Sequence, residues 1–132
     1  MRRSPMALAL GAALALPAPA PAAPLTAPEA PDYRDDRSSP AALVESLYNA
    51  VSRREYSRAW SYYAENARPA ADYAAYVRGY EQTVAVEVAV GEAAEEAGMS
   101  QVYATVPVAI AALGTDRSVT VFAGCYVTHF TQ

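Results

Sequence analysis

Beyond residue 39 the apolar positions follow two successive rhythms, helical spacing first and strict alternation later. Ser39 is an N-cap candidate with Pro40 at the first helical position, and Leu43, Val44, Leu47, Tyr48 and Val51 then recur three and four apart on one helix face. Arg53 and Arg54 interrupt, and Tyr56, Ala59, Trp60 and Tyr63 repeat the spacing in a short second helix. Pro69 reopens the chain for a third, with Tyr73, Tyr76, Val77 and Tyr80 on one face and Gly79 at its end. The rhythm then changes. Residues 83–90 put Val84, Val86, Val88 and Val90 on one face of a strand, with Thr83, Ala85, Glu87 and Ala89 on the other. The stretch 92–98 reads as a polar loop. Residues 101–113 and 118–130 read as two long strands joined by a turn at Gly114, Thr115 and Asp116. Pro107 cannot donate to a ladder and Gly124 brings no side chain, so a bulge or bend is expected there, curving the sheet around the helices. The pattern predicts an α+β domain with three N-terminal helices packed on a curved, mainly antiparallel sheet.

Composition qualifies the apparent hydrophobicity. Of 132 residues 53% are nominally apolar, but 31 are Ala, which buries little surface. From Pro40 onward 31 larger apolar side chains remain, enough for one modest core without disulfide or metal staples. All ten basic residues are Arg, and from Ala23 onward eight of them face fourteen Asp and Glu, a net charge of −6. An acidic domain without a basic stripe is not built for phosphate backbones or anionic membranes, which excludes nucleic acid as a partner.

The first residues read as an address. Arg2 and Arg3 precede an apolar run over 7–16, and Ala20, Pro21 and Ala22 supply a small-residue cleavage site. Residues 1–22 are therefore expected to be a secretory signal peptide. The run is about half as long as a spanning helix requires, so no membrane span is expected once the signal is removed. Residues 23–39, rich in Pro and Ala and then in Asp and Arg, carry too little apolar mass to offset their ordering entropy and read as a disordered linker. The domain is then 40–132, and the destination is periplasmic or secreted.

Three segments resemble a known family. The runs SPAALVESLYNAV at 39–51, EYSRAWSYY at 55–63 and VTVFAGCY at 119–126 are similar to the nuclear-transport-factor-2-like (SnoaL-like) superfamily, in particular to its small secreted bacterial members of unknown function. The resemblance implies a cone-shaped barrel, a pocket between helices and sheet, and dimerisation through the sheet. Members usually carry one further strand, whereas this chain stops two residues after Phe130, leaving either a bare edge or a truncated protein.

Candidate chemistry is sparse. Tyr stripes at helical spacing pack against a sheet with their hydroxyls at the rim, or line a pocket that offers apolar area and an orienting hydroxyl. On the second reading Trp60, Tyr63, Tyr76, Tyr80 and Tyr103 are the ligand-binding residues. His129 is the only histidine, at a strand end, so no histidine metal cluster forms and no metal or cofactor is expected. Related enzymes of the superfamily, the ketosteroid isomerases and scytalone dehydratase, use an Asp or His in the cone as acid or base. The carboxylates that could act so here are Asp72, placed as a helix cap, and Glu87, placed on the face opposite the valines. Cys125 alternates with Ala123 and Val127 and reads as a buried, inert thiol with no intramolecular partner.

The sequence thus supports an exported, non-catalytic binding module with an aromatic cone for a small apolar ligand or a sheet face for a protein partner. A homodimer through the sheet is expected. The alternative is a small isomerase or dehydratase using a cone carboxylate, and no catalytic residue is assigned. Export predicts a mature chain starting at or near Ala23, which N-terminal sequencing of the exported protein checks. Recovery of intact Met1 in the membrane fraction would contradict it.

Overall fold

A computed structural model describes residues 15–20 and 28–131. Most of the expected signal peptide, its cleavage site and the start of the expected linker lie outside the described residues. The fold is α+β: helices α1 (Pro40–Ser52), α2 (Tyr56–Ser61) and α3 (Tyr73–Arg78), then strands β1 (Thr83–Val90), β2 (Ala94–Ala97), β3 (Gln101–Gly114) and β4 (Val119–Thr131). Both expected helix caps form. The Ser39 hydroxyl accepts from the Ala42 N–H at 3.1 Å and the Asp72 carboxylate from the Ala75 N–H at 2.7 Å.

The four strands make one antiparallel sheet that does not close into a barrel. β4 pairs with β3 along its whole length, from Gln101 opposite Thr131 to Leu113 opposite Val119, without a slip at Gly124. β1 and β2 share the other edge of β3, opposite residues 108–114 and 102–105. The stretch read as a polar loop thus contains a strand. Pro107 explains the interruption. Its carbonyl accepts from the Gly91 N–H at 2.8 Å, so its missing N–H faces that same edge and the ladder breaks there. A Cβ on Gly91 would lie 3.2 Å from the Pro107 Cβ, which suits the bare backbone at this close approach.

The helices cover the even-numbered face of the sheet. Val44, Leu47, Tyr48 and Val51 of α1, Ala59, Tyr76, and Val106 and Val108 of β3 form the buried core, with Val86, Val88 and Val90 packed against it. Among the described residues the odd-numbered face has no layer over it, and Cys125 lies there. The alternation around it was read correctly but the buried face was not: Cys125 is exposed, because Tyr126 and Thr128 take the helix side.

Residues 31–39 differ from the expected linker. They form neither helix nor strand, yet they are strapped across α1 and α2. Ser46, with 0% exposure, accepts from the Asp36 N–H at 2.8 Å and donates to the Asp36 carbonyl at 3.1 Å. Asn49 donates to the Asp32 carbonyl and accepts from the Arg34 N–H, and Arg53 donates to the Pro31 carbonyl. Arg58 ties the network together, donating to Glu55 at 2.7 Å, the Arg34 carbonyl at 2.8 Å, and Tyr62 and Asn49 at 3.0 Å, with its guanidinium 4.6 Å from the Tyr33 ring centroid. Polar pairing and cation–π contacts, not apolar mass, order this segment. Arg58→Ala is expected to destabilise the domain by about 3 kcal/mol, since several charge-assisted bonds go at once, and Arg58→Lys to recover less than half because an ammonium lacks the fork. Urea unfolding of the three proteins measures this; equal stabilities would show that the strap adds nothing.

Candidate functional site

Where α1 and the segment after α2 overhang β4, they leave a half-open groove of about 720 Å³. Leu43, Val44 and Leu47 form one wall, Tyr62, Tyr63, Ala64, Asn66, Ala67 and Pro69 the second, and β4 with the start of β3 the floor. Consecutive β4 residues from Cys125 to His129 reach it, from both faces of the sheet, so the groove runs beside the strand's free edge.

Tyrosine hydroxyls converge at its inner wall. The Tyr126 hydroxyl is 2.7 Å from that of Tyr48 and 3.4 Å from that of Tyr63. Three hydroxyls joined by two hydrogen bonds leave one O–H to donate outward. Tyr76 stacks behind, its ring edge-on to Tyr63 at 6.0 Å, and its buried hydroxyl has no hydrogen-bond partner, at a cost of about 1–3 kcal/mol. Burial raises the pKa of Tyr48, Tyr63 and Tyr76 far above the ordinary phenol value, and the neighbouring phenols reinforce the shift. These groups are donors and acceptors, not bases. Tyr62, on the outer wall, donates to Asp35 of the strap at 2.7 Å and lies beneath the Arg37 guanidinium. That hydrogen bond, followed by the one from Arg37, holds the Asp35 carboxyl below its usual range.

Of the residues expected to bind ligand, Tyr63 and Tyr103 line the groove; Trp60, Tyr76 and Tyr80 do not. Those three belong to a separate stack: Tyr76 lies 5.2 Å from Trp60 and 5.4 Å from Tyr80, and Tyr80 stacks on Tyr56 at 5.5 Å. Tyr76, only 5% exposed, belongs to the core, and Trp60, Tyr80 and Tyr56 pack against it half-buried. Tyr62 and Tyr126 were not among the expected site residues, although Tyr126 lies four residues from both Phe122 and Phe130, on one face of a strand, a spacing that carries a signal for it. His129 is paired within β4 opposite Tyr103 and borders the groove. Neither candidate carboxylate lines it, for Asp72 caps α3 and Glu87 is exposed on β1. Among the described residues no group of His, Cys, Asp and Glu is placed to hold a metal, and no helix is long and apolar enough to cross a membrane.

No family model, curated protein or solved structure matches the chain.

The raised tyrosine pKa values set the response to alkali. A phenol that ionises near pH 10 in the unfolded chain and well above that in the folded one leaves stability unchanged below pH 10 and lowers it as pH rises further. Phenolate absorbance should therefore show Tyr48, Tyr63 and Tyr76 ionising together with cooperative unfolding. Their gradual titration in a chain that keeps its folded circular dichroism would contradict this burial.

Proposed function

We propose that this chain is an exported, non-catalytic binding module whose groove takes a small, neutral, apolar ligand. The observation that carries the reading is the groove's chemistry: its sixteen lining residues include no Asp, Glu, Arg or Lys. Its volume suits a compound of a few rings. Leu43, Val44 and Leu47 offer apolar contact, and the Tyr63 and Tyr126 hydroxyls offer one oriented donor. In this reading the helices over one face of the sheet are a cone of the nuclear-transport-factor-2-like kind, left open along β4, and two copies meet through the sheet. The leader-like start of the sequence supports export. An isomerase or dehydratase reading based on a cone carboxylate is weaker, because neither Asp72 nor Glu87 reaches the groove; the acid–base side chain that does line it is His129.

The test is a titration with N-phenyl-1-naphthylamine, an uncharged apolar fluorophore. Its fluorescence should rise and saturate at one site per chain. Leu43→Asp, which puts a charge on the wall, should weaken binding about tenfold or more. Glu87→Gln, remote from the groove, should leave it unchanged. A rise that never saturates, or one indifferent to Leu43→Asp, rules the groove out as the site.

A further inference from the structure

The outer wall of the groove has little regular structure to hold it. Between α2 and α3 the chain makes one short 3-10 turn, Glu65–Ala67, and residues 65–69 are exposed. Two adjacent tyrosines anchor this wall in opposite directions. Tyr63 reaches inward, its hydroxyl 3.4 Å from that of Tyr126 on β4. Tyr62 reaches the strap: its hydroxyl donates to Asp35 at 2.7 Å and accepts from Arg58 at 3.0 Å, and the Arg37 guanidinium lies 4.5 Å from its ring centroid. Arg37 in turn donates to Asp35 at 3.0 Å, so one carboxylate holds both the wall and the cation over it. Asp35, Arg37 and Arg58 themselves do not line the groove.

The same strap is fixed to the opposite wall. Leu43, Val44 and Leu47 stand on α1, and Ser46 and Asn49 of that helix bond the strap backbone at Asp36, Asp32 and Arg34. Asp35 and Asp36 are consecutive, so a single step of about 3.8 Å between Cα atoms separates the attachment to α1 from the attachment to Tyr62. The strap therefore joins the two walls from outside by a short path, bonded at both ends. A flexible tether in its place would leave the gap between the walls free to vary.

We propose that the strap is a clasp that sets the width of the groove, with Asp35 as a positioning residue acting through Tyr62, so that the strap-docked chain is the binding-competent form and an occupied groove holds the strap down. The effect on ligand rests on the groove being the binding site; the tie between strap and wall rests on the bonds of Tyr62 alone. Without Asp35 the Tyr62 hydroxyl loses its charged acceptor and Arg37 loses its pair. The wall at 62–69 then widens away from α1, and a molecule in the groove keeps full contact with one side only. Linkage makes the effect reciprocal: the factor by which a clasped wall tightens ligand binding is the factor by which ligand favours the clasp.

Two measurements on the full chain test this. The first is affinity for N-phenyl-1-naphthylamine. Asp35→Ala should weaken it about fivefold, and so should Tyr62→Phe, which keeps the ring in the wall and removes only its hydroxyl. Asp36→Asn removes the same charge one residue further on, from a side chain that bonds Ser38 and Arg34 and not the wall, and should change affinity less than about twofold. The second is trypsin cleavage after Arg37, scaled to cleavage after Arg117 in the turn between β3 and β4. A docked strap is cut when it opens, so the scaled rate follows the open fraction. Saturating fluorophore should slow it about fivefold in the unaltered chain and not in Tyr62→Phe, and Tyr62→Phe without fluorophore should be cut about fivefold faster than the unaltered chain. A variant that had merely lost global stability would raise both cuts together and leave the ratio unmoved. Full-affinity binding by Asp35→Ala and Tyr62→Phe, or a scaled rate that fluorophore does not change, overturns the clasp and leaves the ligand site standing. An unaltered chain that binds no fluorophore removes the ligand site and its coupling to the strap, while faster cleavage of Tyr62→Phe would still show strap and wall to be joined.

Discussion

Helix α1 is held between two surfaces of opposite chemistry, and the rest of the molecule is arranged around that demand. Its stripe of Val44, Leu47, Tyr48 and Val51 packs into the core against the sheet. Its other side carries Ser46, Asn49 and Arg53, three and four residues apart, and each bonds backbone of the strap. Burial of Ser46 is tolerable only because the Asp36 backbone satisfies its hydroxyl in both directions. Without the strap, Ser46 and Asn49 would lose their backbone partners, and Arg58 of α2 would lose its bond to the Arg34 carbonyl. The same network reaches the groove, since Tyr62 bonds both Asp35 and Arg58 and forms part of the outer wall.

The two edges of the sheet are treated unequally, and the groove is a consequence. On the β1 side Pro107 withholds a donor, the ladder breaks, and the short β2 that resumes it carries Glu95 and Glu96. This is a protected edge, interrupted and charged. On the β4 side nothing interrupts the backbone, and the helices stop short of its first half. A helix layer narrower than the sheet beneath it leaves a step at its margin. Filled by side chains the step would be core; lined by Leu43, Leu47, Tyr63 and Tyr126 but unfilled, it is a groove.

How much of this was legible depends on the range of the interactions involved. The helices and long strands were, because their signals are local: Ser39 before Pro40, the three-and-four spacing of Leu43 to Val51, the alternating valines of β1. The strap was not. Its partners lie 10 to 27 residues away and are hydrogen bonds between Asp, Ser, Asn, Tyr and Arg, which in a composition count look like a solvated segment. β2 was hidden for a related reason, since its residues Ala94–Ala97 are all exposed and only the partner β3 makes them a strand. Alternation in β4 was visible, but the choice of buried face was not, because Val119, Val121, Cys125 and Val127 are as apolar as Phe122, Tyr126 and Phe130. Hydroxyl pairing decides it: Tyr126 turns inward to meet Tyr48, and Cys125 is carried outward. Aromatic density likewise could not sort Tyr76 from Tyr63, which sit within one ring contact of each other but on different sides of the core boundary.

That boundary bears on what the groove can do. A tyrosine acts as a general base only when its phenol ionises near the working pH, which needs a nearby cation or solvent to stabilise the phenolate. Here the hydroxyls of Tyr48, Tyr63 and Tyr126 face one another, the groove lining holds no Arg or Lys, and burial raises the phenol pKa of Tyr48 and Tyr63. Four of the arginines are engaged elsewhere: Arg58, Arg53 and Arg37 serve the strap, and Arg68 lies over Trp60. The three hydroxyls carry one proton more than their two mutual bonds use, and two of the three residues, Tyr63 and Tyr126, line the groove. In the proposed binding role such a wall presents a hydroxyl donor beside Leu43, Val44 and Leu47 and orients a bound molecule through it. Ion pairs lie on the strap side of α1 and phenol hydroxyls on the groove side, so a molecule in the groove would meet those hydroxyls and the His129 imidazole, the polar contacts on which the proposed binding role relies.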